Sequence, residues 1–182
     1  MGEEQECLRV ALKRVATGLK ETGVPFALTG GYAAWVRGGP EPDHDVDFLV
    51  APEDADRAAA LLGEQGLQIV QPPEDWLFKV FTDDAMVDVL HRAPGSEVKP
   101  VLERASDVEV LSVSMPVLAA TDVVLQKLAV LDEHYCDLAA VLPTARALRE
   151  QVEWDLIRTS VAGNPFAETT LDLLERLHVL GK

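Results

Sequence analysis

A pair of glycines followed, thirteen residues on, by two aspartates one residue apart constrains this chain more than any other feature. The stretch runs from the apolar segment Phe26-Ala-Leu-Thr29 through Gly30-Gly31 and the Gly/Pro-rich segment Gly38-Gly-Pro-Glu-Pro42 to Asp45-Val-Asp-Phe-Leu-Val50. On a strand the side-chain period is two, so Asp45 and Asp47 point to one face while Val46 and Phe48 point to the other. Two carboxylates on one face of an apolar strand repel each other and resist desolvation unless a cation neutralises them. Mg²⁺ suits such a pair, because it takes one or two carboxylates and completes its shell with substrate phosphates and water. Gly30 and Gly31 let the backbone approach a ligand closely, and the N–H groups opening the next helix face an anion. The stretch reads as a phosphate-binding turn followed by a metal-binding strand.

The flanking pattern alternates helix and strand. Leu8, Leu12, Val15 and Leu19 recur at helical spacing over about 4–22, and Gly23 closes that helix. A strand over 25–29 and a helix over 32–37 follow, with Trp35 read as packing rather than as a base-stacking platform. Beyond Pro52, acidic residues open a helix that turns Ala55, Ala58, Ala59 and Leu62 to one side, and Gly66 ends it. Residues 67–70 form a strand, and 77–81 and 86–90 form a hairpin joined through Thr82-Asp83-Asp84. On its second arm Asp88 shares a face with Met86 and Leu90. It either meets Asp45 and Asp47 across the sheet or faces water from an edge strand, and we adopt the first reading. A helix over 96–105 leads to strand-like alternation over 108–114, ended by Pro116. From Thr121-Asp122 onward the pattern is helical. Val124, Leu128 and Leu131 form one stripe, helix continues through 133–138 toward Pro143 and again over 145–150 and 154–161, and the last helix has Phe166, Leu173, Leu177 and Leu180 as its apolar, core-facing stripe.

Gly30-Gly31, Asp45-Val46-Asp47 and the lone strand carboxylate Asp88 together resemble the DNA polymerase β-type nucleotidyltransferase superfamily, in particular its small bacterial toxin-like or antibiotic-modifying members. The resemblance covers the motifs of the first half of the chain and, more faintly, the helix around Lys127. It implies an α/β (α+β) fold, a mixed sheet flanked by helices, with a core over 1–117 and a helical segment over 118–182 packed on it. The implied reaction moves a nucleoside monophosphate from a nucleoside triphosphate to an acceptor hydroxyl, with pyrophosphate leaving. In that reading Asp45, Asp47 and Asp88 hold two Mg²⁺ ions about 3.5–4 Å apart, which clamp the attacking and leaving oxygens. Asp88 also takes the acceptor proton, and the Gly30 and Gly31 N–H groups meet the phosphates. Lys127 is implied to hold the triphosphate, a surface lysine covering apolar neighbours with its stem being the equal alternative. Arg37 either reaches a phosphate or ends its helix in solvent. His44, where many members carry a small hydroxyl residue, either contacts phosphate or acceptor or is a structural or exposed histidine. Asp137 follows Cys136 where relatives often have a basic residue, and its role stays open.

Charge bears on the acceptor. A net charge of −15 repels nucleic-acid phosphates and gives weight to a small cationic or a protein acceptor. The acceptors in view are a small molecule such as an aminoglycoside or lincosamide, a protein, or a tRNA end, the last two in the manner of a toxin with a cognate partner protein. Two further readings stand beside transfer: a catalytically silent binding or antitoxin-like protein, against which the retained acidic cluster argues, and a phosphohydrolase with water as acceptor. Cys7 and Cys136 form no C-x-x-C pair, and Gly2-Glu-Glu-Gln-Glu6 has neither leader nor membrane-span character, which together point to the cytoplasm. His91, His134 and His178 lack zinc-ligand spacing.

Overall fold

The computed structural model describes residues 3–83 and 85–180; Gly2 of the N-terminal segment and Asp84 of the expected hairpin turn lie outside the described residues. The elements are α1 (Glu3–Thr22), β1 (Phe26–Thr29), α2 (Gly30–Val36), β2 (Val46–Val50), α3 (Ala55–Glu64), β3 (Gln68–Val70), β4 (Leu77–Phe81), β5 (Met86–Leu90), α4 (Val98–Glu103), β6 (Ser106–Val110), β7 (Val113–Val117), α5 (Ala120–Ala129), α6 (Leu138–Leu148), α7 (Trp154–Ser160) and α8 (Pro165–Arg176). The strands form one mixed seven-stranded sheet in the order β3-β4-β5-β2-β1-β7-β6. Neighbours pair antiparallel except β2 with β5 and β1 with β7, which are parallel.

The apolar periodicities explain this architecture. The helical stripe Leu8, Leu12, Val15 and Leu19 is buried, and α1 packs on α3 and over β2, β5 and β7. In α3 the buried residues are Ala55, Ala58, Ala59 and Leu62, the expected face. The helix α2 lies on β1 and β2 and meets α5, on which α6, α7 and α8 gather. Fully buried Leu12, Leu19, Leu28, Phe48, Leu49 and Phe78 each contribute on the order of 1.5–3 kcal/mol relative to exposure. Every strand ends by Val117, and the described residues beyond it form helices and loops.

Four expectations are corrected. The stretch 108–114 is not one strand but parts of two, β6 and β7, joined at Leu111 and Ser112. Both have positive φ (50° and 67°), as a primed two-residue hairpin turn requires, and neither is the Gly or Asn that announces such a turn in sequence. Pro116 lies within β7 opposite Asp107, off the Val113, Met115 and Val117 positions that pair through hydrogen bonds when Val110↔Val113 closes the hairpin. The expected helix over 133–138 is a loop. Asp137 caps α6 through Oδ1, which accepts from the N–H groups of Ala139 and Ala140, and Pro143 lies inside α6 instead of ending it. The helix α8 buries Ala167, Thr170, Leu171 and Leu174, so Phe166 and Leu173 are only partly covered and Leu177 is exposed. Finally, β2 begins at Val46, so Asp45 precedes the strand that carries Asp47.

Candidate active site

The sheet register assembles a polar row across four strands. Thr29 lies opposite Asp47, Asp47 opposite Asp88, and Asp88 opposite Lys79. Neighbouring strands run about 4.8 Å apart, so these side chains stand next to one another on one face. The separate sequence motifs on β1, β2 and β5 thus become neighbours only through strand pairing.

Each end of the row is held. Thr29, fully buried, donates from Oγ1 to Gln126 Oε1 at 3.0 Å, which joins the end of β1 to α5. At the other end Lys79 Nζ donates to both oxygens of Asp88, at 2.9 and 3.3 Å. Asp47 is the strained member. Burial first, then repulsion from Asp45 and Asp88, pushes its carboxyl from 3.8 up to about 7, against a smaller opposing pull from Lys127 and Lys79. Gly30 leaves this carboxylate its space: φ is +61°, and a Cβ there would sit 2.0 Å from Asp47 Oδ2. Asp45 is exposed beside it in sequence.

Gly30, Asp47, Gln126 and Lys127 line one cavity of about 790 Å³ that extends to Trp76, Arg92 and Tyr135. Burial pulls the Lys127 ammonium below its ordinary value, and the charges of Asp47 and Asp137 oppose that. Gln126 Nε2 is buried with no hydrogen-bond partner among the described residues. A separate hollow of about 600 Å³ beside α8 is lined by none of these residues.

The loop leading to Asp45 is fixed from two sides. Arg9 donates through Nε and one terminal nitrogen to the two oxygens of Glu41, both at 2.8 Å, while its guanidinium lies 5.7 Å from the Trp35 ring centre. Pro42 packs on the start of α2, where a Cβ on Gly31 would come within 2.8 Å of the proline ring. Arg37 is bonded within the fold: Nε donates to the Leu118 carbonyl and a terminal nitrogen to the Val117 carbonyl and Ser106 Oγ, each at 2.9 Å, which clamps the end of α2 to β6 and β7. His44 is exposed, one residue before Asp45. The structure therefore gathers Gly30, Asp47, Asp88 and Lys127, sets Asp45 and Gly31 beside them, and gives Arg37 a structural task.

The donor set fits a divalent cation. An acidic pair with one member pushed to about 7 is relieved by a metal, and a glycine keeps the approach open. Among the described residues no three His, Cys, Asp or Glu side chains are grouped closely enough to hold a metal by themselves. Substrate phosphate oxygens would have to complete the shell, as is usual for Mg²⁺.

A family model described as an uncharacterised nucleotidyltransferase matches residues 1–179. The chain belongs to this nucleotidyltransferase family. A search of curated protein sequences finds no match to it. Solved structures share the fold at low identity. The antibiotic-resistance factor ANT(2'')-Ia in solution is 13% identical over 93% of this chain and 96% of its own, with a TM-score of 0.61. An antigenic nucleotidyltransferase-like protein from Paracoccidioides brasiliensis is 12% identical over 97% of this chain and 94% of its own, with a TM-score of 0.60. The lincosamide antibiotic adenylyltransferase LnuA, lincomycin-bound, is 11% identical over 79% of this chain and 94% of its own, with a TM-score of 0.51.

Two residues bonded to this polar row escape a reading of the sequence. Lys79 sits in the apolar run Leu77-Phe-Lys-Val-Phe81, and a cation inside such a run is a signal that a carboxylate faces it. Gln126 precedes Lys127 in a helix and carries no sequence signal of its own.

Proposed function

We propose that this nucleotidyltransferase is a Mg²⁺-dependent enzyme that moves a nucleoside monophosphate from a nucleoside triphosphate to a hydroxyl of a small, cationic acceptor. The observation that carries this reading is the cluster in which an unneutralised Asp47 faces Gly30 and Lys127 in one cavity, with Asp88 alongside in register. Asp45 and Asp47 would hold the metal, which supplies positive charge to the triphosphate. The Gly30 and Gly31 N–H groups and the Lys127 ammonium bind phosphate oxygens. Asp88 accepts the proton of the acceptor hydroxyl as that oxygen bonds to the α-phosphorus; the bond from the α-phosphorus to the bridging oxygen breaks, and pyrophosphate departs with it.

The acceptor class rests on charge. A net charge of −15 disfavours a tRNA end, because like charges across an interface cost affinity, and it draws a cation. One solved relative was captured with adenylyl-2''-tobramycin and another with lincomycin, which makes antibiotic-like small molecules the first acceptors to try. Calorimetric titration of each nucleoside triphosphate, with and without Mg²⁺, tests the donor half. Binding should require Mg²⁺ and vanish in Asp45→Asn and Lys127→Ala; a folded protein that binds no nucleotide under any condition would remove the basis for this reading. Incorporation of label from α-³²P-labelled triphosphate into aminoglycosides, set against tRNA and protein, tests the acceptor half.

A further inference from the structure

The third carboxylate of the row is not free. Lys79 faces Asp88 in direct register on the antiparallel pair β4–β5, and its ammonium lies within hydrogen-bond distance of both carboxylate oxygens, at 2.9 and 3.3 Å. Both side chains are mostly buried, with exposures of 26% and 18%, so solvent and salt screen the pair weakly. On its other flank Lys79 is opposite Val70, which leaves Asp88 as the carboxylate directly across from it. On the other side of Asp88 stands Asp47. The row therefore reads carboxylate, carboxylate, ammonium, and the cation beside Asp88 is part of the chain.

We infer that the Lys79 ammonium occupies the place of a second metal ion beside Asp88, so that this site holds one divalent cation, at Asp45 and Asp47, and Lys79 is a positioning residue for Asp88. The inference rests on the proposed nucleotidyl transfer and departs from the two-metal arrangement that the motif resemblance implies. A divalent ion bound to Asp88 would meet an ammonium already seated on both carboxylate oxygens, and like charges at that separation repel strongly in a partly buried site. Displacing Lys79 from Asp88 would leave its charge unpaired beside Leu77, which is buried on the same face of β4. The absence, among the described residues, of any three-ligand group agrees with a metal held by two carboxylates and substrate phosphates. Lys79 gives Asp88 what a metal would otherwise give it, an adjacent positive charge and a fixed orientation, and leaves that carboxylate to meet the acceptor hydroxyl.

Counting bound Mn²⁺ by electron paramagnetic resonance, on the full chain with a saturating non-hydrolysable nucleoside triphosphate, tests this. One ion per chain is expected in the unaltered protein and in Lys79→Arg. Lys79→Met and Lys79→Gln should each take up a second ion with an affinity raised about tenfold or more over the unaltered protein. Two ions in the unaltered protein would overturn the inference whether or not any variant folds, and so would folded Lys79→Met and Lys79→Gln proteins that keep a count of one. Absence of both nucleotide and Mn²⁺ binding in the unaltered protein would instead refute the transfer reading on which the inference stands.

Discussion

Asp122 and Asp47 are two aspartates in apolar surroundings that end in opposite states. Asp122, at 1% exposure in the first turn of α5, accepts from Arg104 Nε at 3.1 Å and from a terminal nitrogen through its other oxygen. Its charge is matched within the fold, and the pair ties the end of α4 to α5. Asp47 stands between Thr29 and Asp88 on the sheet, and its carboxyl is driven to about 7 by burial and by two neighbouring carboxylates. A scaffold neutralises its buried charge, whereas a site leaves one to be neutralised by what it binds.

Removing the charge of Asp47 and removing the partner of Asp122 should therefore have opposite consequences for stability. The largest effect expected is on turnover: Asp47→Asn should lower nucleotidyl transfer on the order of 1,000-fold while raising the melting temperature at pH 8, because it removes repulsion with Asp45 and Asp88. A variant that loses activity and stability together would mean that Asp47 is structural, as Asp122 is. The second effect is on pH dependence. In metal-free protein Asp47 holds its proton more tightly folded than unfolded, so its contribution favours the folded state below about pH 4. That contribution is lost as pH rises from about 4 to about 7, a span of roughly 4 kcal/mol at most. Denaturant unfolding in chelator at pH 5, 6 and 7.5 should show this decline in the unaltered protein and a shallower one in Asp47→Asn; parallel slopes would contradict it. Third, Arg104→Ala should destabilise by about 3 kcal/mol, since it strands the buried Asp122 carboxylate, and should leave the Kd for Mg²⁺-nucleotide unchanged. The smallest effect expected is that of Arg37→Ala, which removes the clamp from α2 to β6 and β7. It should cost about 1–2 kcal/mol in denaturant unfolding while shifting nucleotide Kd less than about threefold, and a larger shift would return Arg37 to the phosphate.

Much of this was legible because the relevant signals are local. The stripes of α1 and α3, the glycines that open α2 and the alternation in β2, β4 and β5 depend on residues a few positions apart, and each element formed close to its expected bounds. The turn at Leu111-Ser112 was not legible, since pairing between β6 and β7 imposes positive φ on residues that do not advertise it. The buried face of α8 was not legible either. Phe166, Leu173 and Leu177 make an equally apolar stripe, and only the position of the neighbouring helices decides that Ala167, Thr170, Leu171 and Leu174 turn inward.

The same division holds for the site. The sequence by itself determined the family, the acidic pair and glycine step, and the helical setting of Lys127, because backbone conformation, periodicity and charge spacing are written in neighbouring residues. Tertiary structure alone decided that Asp88 stands beside Asp47, that Lys79 is seated on Asp88, that Gln126 reaches Thr29, and that Arg37 is spent on carbonyls. Those are facts of strand register and helix docking. A register is set by the sum of many apolar contacts across the whole sheet, so no short stretch of the chain encodes it.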